Sequence, residues 1–572
     1  MKASTYFSPM GGQQLGVMVP EPTLSGVSVW LAELPLANTP YCFDAIEAAL
    51  ESFNHRPELP IWVRVELAEL LRPMVLMLAQ QAEARFLDAA LPYAAEAERY
   101  IHQGIGLHRE LGMGYVLAAF DAVGSSRRGR AENAQALALY RALEHWGQVL
   151  LWTSRLYRPV DEAYWLILYR LYRVAEARRT LDLVFDEMDE PAPCRTAGGV
   201  FIRSVLFAAA NTRRLRQRDM GLVFKLLGQW VDRVGFGTEI VRDGQLAEIY
   251  IDVGGSLPPA RTRLPNGFEV SEPRFLHTQS LANTLLEPEV VLGKSPHERA
   301  VLIRVARSLA GLEKRRYARR AESDRCGCVA GLPSLVAALG GRPDCGPDDS
   351  APSGAALELI RERHERSPSA DGNIEARLSR SEVGLGKLLA SRRKGVAAVR
   401  AEDIWSVDQE SAMAPEAVPV MVEGRIVNSS AQGCCIFWSA QPAARTKVGE
   451  LIGLWLGTPE RQLRFIAVIR WVECGKQGLT FGVELFAPSA EVVEIYDGAS
   501  KPRGKALLLA ADGVLRKGPE LLALPGAVRQ GGTVRVRAGG ELAHYWVSEE
   551  LEATLSFARY SLVELDSGGE DA

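Results

Sequence analysis

A chain of 572 residues, 47% apolar and 24% charged, is too long for one hydrophobic core and has the composition of a soluble globular protein of about three or four domains. Its formal net charge of −4 gives no drive toward general nucleic-acid binding, so no nucleic-acid partner is expected. No window holds the roughly 18 consecutive apolar residues of a bilayer span, and the opening MKASTYFSPMGGQQ lacks the apolar stretch of a signal peptide; the expected location is cytoplasmic.

In chain order, residues 1–27 carry Gly, Pro and Ser without periodicity and are expected to be flexible. From 28 to 235 the pattern is helical. Ala136, Leu139, Leu143, Trp146 and Leu150 recur every three or four residues and fall on one helix face. Trp165, Leu168, Tyr172 and Ala175 repeat the arrangement beyond Pro159, with Arg141, Glu144, Arg170 and Arg173 at other positions. No clean repeat of about 34 residues is present, so an irregular α-helical bundle is predicted. Residues 236–320 change character: a β-like run, Leu246–Asp252, is followed by turn chemistry and then by helical pattern ending in the basic cluster Lys314–Arg320.

Residues 321–417 are rich in Gly, Pro, Ser and Asp over 340–372 and read as a linker or insertion, with Cys326–Ala330 as a candidate displaced strand. Eight cysteines are too sparse for a disulfide framework. Cys326, Cys328 and Cys345 lack the second pair or neighbouring histidine of a zinc site, so no metal is expected and these cysteines read as packing residues. From 418 to 498 the chain is β, with strand candidates Val420–Val427, Cys434–Trp438, Arg464–Val472 and Leu479–Phe486. Short, evenly spaced strands point to a small barrel. Residues 503–566 add a β-domain with a hairpin at Gly539-Gly540; Ala553–Phe557 reads as a further strand.

Between the first two of those strands, Asn428-Ser429-Ser430-Ala431-Gln432-Gly433 fits the pattern Asp/Asn-x-Ser-x-x-Gly. Asn428 and Ser430 are short polar side chains able to tie a turn or bond a guanine edge. Gly433 admits either a positive φ or a close backbone approach. With Val448-Gly449-Glu450, Ile469-Arg470-Trp471 and Gly482-Val483-Glu484 in order behind it, the region resembles the PilZ family of bacterial cyclic-di-GMP receptors. The resemblance implies a six-stranded antiparallel barrel, so the fold class expected is multidomain α+β: a helical bundle, a PilZ-type barrel and a small C-terminal β-domain. It also implies a phosphate-clamping RxxxR before the barrel, where guanidinium groups grip phosphate and stack on bases. The segment with Arg392, Arg393 and Arg400 has no such spacing. Arg315/Arg319 and Arg316/Arg320 have it twice, more than 100 residues upstream of Asn428. They read either as the clamp of an interrupted domain or as a solvated basic helix end.

The nucleotide-binding set is therefore Arg315, Arg316, Arg319, Arg320, Asn428, Ser430 and Gly433. No P-loop, GxGxxG, HExxH or GxSxG is present, so no catalytic residue is assigned and an enzyme is not expected. The function expected is a cyclic-di-GMP effector, with no other cofactor, that couples the barrel to a helical domain binding an unidentified protein partner. The alternative is a degenerate PilZ scaffold that binds no nucleotide.

Overall fold

The computed structural model describes residues 18–340 and 419–565 apart from short stretches at 88, 121–127, 188, 239–247, 261–270, 293, 312–318, 431, 440–444, 458–462, 497–501 and 511–517. The described chain divides into two compact units.

The first unit holds the helical bundle. Its first helix, Leu24–Glu33, starts earlier than periodicity predicts because the Thr23 hydroxyl caps it, accepting from Gly26 N at 3.1 Å. The long helix Arg128–Arg155 packs against Ala95–Phe120 on one side and Ala197–Ala209 on another. Ala136, Leu139, Leu143, Trp146 and Leu150 are all buried on it. Gly104 lets the neighbouring helix come close, since a Cβ there would lie 2.2 Å from Trp152. Enclosed on several sides, this helix also buries Arg141 and Glu144, which periodicity alone placed outside the apolar face. They persist inside because they are paired: Arg141 Nη1 donates to Glu144 Oε2 at 2.8 Å, Arg141 Nε to Glu69 at 2.9 Å and Arg72 to Glu144 at 2.9 Å. The helix Glu162–Ala177 follows, capped by Asp161. A three-stranded sheet completes this unit: β1 (Gly235–Gly237), β2 (Glu248–Asp252) and β3 (Pro273–His277), with β3 central.

The second unit carries two antiparallel barrels. The first is built from β5 (Arg325–Ala330), β6 (Val422–Ser430), β7 (Gly433–Ser439), β8 (Leu451–Leu456), β9 (Leu463–Gly475) and β10 (Gly478–Ala487). These six run in the order β6-β5-β8-β9-β10-β7, and β6 pairs with β7 to close the wall. A two-residue strand, β4 (Arg320–Ala321), adds to the outer end of β6. The segment at 326–330 is thus a full wall strand, hydrogen-bonded to β6 and β8. Apolar alternation sets the two faces: Val422, Gly424, Ile426, Ile436 and Trp438 point inward.

The second barrel comprises β11 (Glu491–Tyr496), β12 (Pro502–Leu509), β13 (Glu520–Ala523), β14 (Thr533–Ala538), β15 (Glu541–Ala553) and β16 (Ala558–Glu564), closed in the order β11-β12-β13-β16-β15-β14. Glu491–Tyr496 lies before residue 498, yet its hydrogen bonds go to β12 and β14 of this second barrel. Leu507, Leu509 and Leu522 pack with the helix Leu332–Gly340 and with Leu451, Trp455 and Val468 of the first barrel in one core. Each such fully buried leucine contributes about 1.5–3 kcal/mol.

Candidate nucleotide-binding wall

The candidate loop joins β6 to β7, and a β-bulge decides what it presents. Ile426 pairs with Ile436, but the next matched pair is Asn428 with Cys435, leaving Val427 as the extra residue. Without that residue the two-residue alternation would send Asn428 into the barrel behind Ile426. With it, Asn428 turns to the outer wall and Ser429 turns in. Ser429 then bonds the Glu322 carboxylate.

Ser430 Oγ donates to Gly433 O at 3.0 Å, which closes the turn and leaves the hydroxyl's lone pairs as acceptors. Gly433 serves the close approach, not a positive φ: a Cβ there would stand 2.0 Å from Val483 O. Gln432 O accepts from Leu485 N at 2.9 Å, pinning the loop to β10. Among the described residues the Asn428 side chain has no hydrogen-bond partner.

The arginine cluster runs into β4, which pairs with β6 in a register that sets Arg320 opposite Ser429 and Ala321 opposite Asn428. Residues separated by more than 100 positions are therefore neighbours across one strand pair. The last described helix before Arg319 and Arg320 ends at Leu309, and Arg320 is itself a strand residue. Both arginines are exposed. Burial raises the Cys435 thiol pKa, and the nearby Arg319 charge opposes that rise. Arg315 and Arg316 lie outside the described residues, as do Arg392, Arg393 and Arg400.

Register carries this wall further. Asn428 pairs with Cys435, Cys435 with Gly482 and Gly482 with Trp471, a straight row over four strands. Trp471 lies across Gly482, where a Cβ would meet its Nε1 at 1.9 Å. The Asn428 amide and the Trp471 indole on one wall, with the exposed guanidinium groups of Arg319 and Arg320 beside them on the neighbouring strand, can bond a base edge, stack on a ring and neutralise phosphate. The part of Trp471 in the row was missed from sequence; its signal was the Trp471/Gly482 spacing across the Gly475–Gly478 turn. Cys326 and Cys328 face inward with sulfurs 3.7 Å apart, and no group of acidic, His or Cys side chains among the described residues is placed to hold a metal.

Residues 25–239 match the family described as "Cyclic-di-GMP receptor FimW, N-terminal domain", and residues 293–491 match "Cyclic-di-GMP receptor FimW, middle PilZ domain". A curated protein of Pseudomonas aeruginosa strain PAO1, named cyclic-di-GMP receptor FimW, is 24% identical over 96% of this chain and 93% of its own length. No solved structure matches. The fold, the loop and both matched regions agree, and the chain is a PilZ-family protein whose barrel follows a helical domain of the FimW type.

Proposed function

We propose that this chain is a cyclic-di-GMP effector that takes the nucleotide on the outer wall of its first barrel. One observation carries the reading: β4 sets Ala321 directly opposite Asn428 of the loop, which brings the adjoining Arg319 and Arg320 beside it. In this reading Arg319 and Arg320, with Arg315 and Arg316 one RxxxR step earlier, grip the phosphates. Asn428 and Ser430 bond a guanine edge, and Gly433 keeps the loop flush with β10. The relative's name, cyclic-di-GMP receptor, agrees with it. The ground for a nucleotide-free scaffold was the want of an arginine pair before the barrel. That ground weakens once the barrel begins at β4 and β5.

Binding signals by favouring one of two arrangements, and only to the extent that the nucleotide binds them unequally. We assign the helical domain the role of holding a protein partner that responds. Isothermal titration of the full chain with cyclic-di-GMP is the test. Saturable binding in the micromolar range or tighter is expected; no heat at about 100 µM, where binding weaker than roughly −5.5 kcal/mol would still escape, refutes the reading.

A further inference from the structure

The two barrels share one strand order. Numbering the strands of each barrel from first to sixth, the first barrel runs 2-1-4-5-6-3 and closes on 2. The second, read from its own second strand, also runs 2-1-4-5-6-3 and closes on 2. All pairings in both are antiparallel. Equivalent walls can therefore be compared residue by residue.

On strands 2, 3, 6 and 5 the first barrel's outer row is Asn428, Cys435, Gly482 and Trp471. The same strands of the second barrel carry the row Leu507, Leu522, Arg559 and Glu552. Neither nucleotide feature recurs. No arginine pair precedes β11 and no Asn/Asp-x-Ser-x-x-Gly lies between β12 and β13. The row is also covered. Leu507 and Leu522 are fully buried in the core shared with Leu332–Gly340 and the outer wall of β8 and β9. Arg559 lies over the Phe486 ring, 4.2 Å from its centre. Glu552 grips Arg470 of β9 through both carboxylate oxygens, one of them at 2.9 Å.

We infer that the C-terminal domain is a second barrel of PilZ topology whose nucleotide-equivalent wall has become the docking wall for the first barrel. That wall is closed to nucleotide, and the chain carries one nucleotide-binding wall. This second consequence rests on the proposed function; the docking does not.

Calorimetric titration of the full chain with cyclic-di-GMP reads the consequence. The variant Asn428→Ala/Arg320→Ala should weaken the one site well beyond tenfold and leave none of wild-type affinity. A remaining site with the wild-type affinity would put nucleotide on the second barrel and overturn the inference, whereas a wild-type chain without heat refutes the proposed function alone. Hydrogen exchange of the full chain reads the docking. Leu522→Glu, and more mildly Leu522→Ala, should speed exchange in Leu332–Gly340 and Leu451–Leu456 at least tenfold. The control Leu542→Glu, on the exposed outer wall of β15, should not. Unchanged protection of those two segments in both Leu522 variants overturns the docking.

Discussion

At Gly433 the loop touches the strand beyond it, with Val483 O 2.0 Å from where a Cβ would stand. Gly433→Ala must push β7 and β10 apart. It should cost about 1–3 kcal/mol of stability, read as a lowered denaturant midpoint, and weaken nucleotide binding with it. Titratable residues in the helical unit give a second expectation. Burial pushes the His108 imidazole, which meets His145 Nδ1 at 3.1 Å, down from 6.5 to about 4. Burial pushes the Glu47 carboxyl up from 4.5 to about 7. The depressed histidine contributes stability that is present above 6.5 and lost as pH falls toward 4. The raised carboxyl works the other way, its contribution present below 4.5 and lost as pH rises through 7. The two oppose each other in the wild type. Melting curves across this range should therefore fall more steeply toward acid in Glu47→Gln and flatten there in His108→Gln; parallel profiles would contradict the assignment.

Among the elements, the bulge at Val427 decides which wall Asn428 serves. Deleting Val427 should restore simple alternation, turn Asn428 inward and abolish nucleotide binding while the far-UV spectrum stays β-rich. Arg470 joins elements of both barrels, donating to Glu484 at 2.6 Å and to Glu552. Arg470→Ala should destabilise the barrel pair by about 2–4 kcal/mol, since it leaves two part-buried carboxylates facing each other. Strand existence was readable from short apolar runs and from turns such as Gly539-Gly540, because those are local. The bulge was not, because Ile426-Val427-Asn428 reads as plain alternation until its partner Cys435 is known. Nor was the turn at Thr554: its hydroxyl accepts from Ser556 N and Phe557 N at 3.1 and 3.0 Å, so Ala553–Phe557, which reads as a strand, is the corner between β15 and β16. Arg141 and Glu144 reached the interior for a similar reason, since their partners Glu69 and Arg72 lie on another helix.

For the whole molecule, the long separation between the arginines and the loop is what hid their adjacency. Sequence distance set Arg320 far from Asn428, and only the pairing of β4 with β6 brings them together. The nearly balanced net charge of −4 likewise conceals the exposed Arg319 and Arg320 beside the loop. The C-terminal barrel was legible as β-structure, but its kinship in strand order to the first exists only in the closed topology. The claim on which all of this turns is that arginine strand and loop act on one ligand. Calorimetric affinities for cyclic-di-GMP of the wild type, Arg320→Ala, Asn428→Ala and the double variant test it most directly. Each single change should weaken binding about 10- to 100-fold, the loss of one charge-assisted or neutral hydrogen-bonding group, with unchanged melting. The double variant should fall short of the sum, as groups sharing one ligand do. A wild type that binds while Arg320→Ala binds equally well would contradict the account.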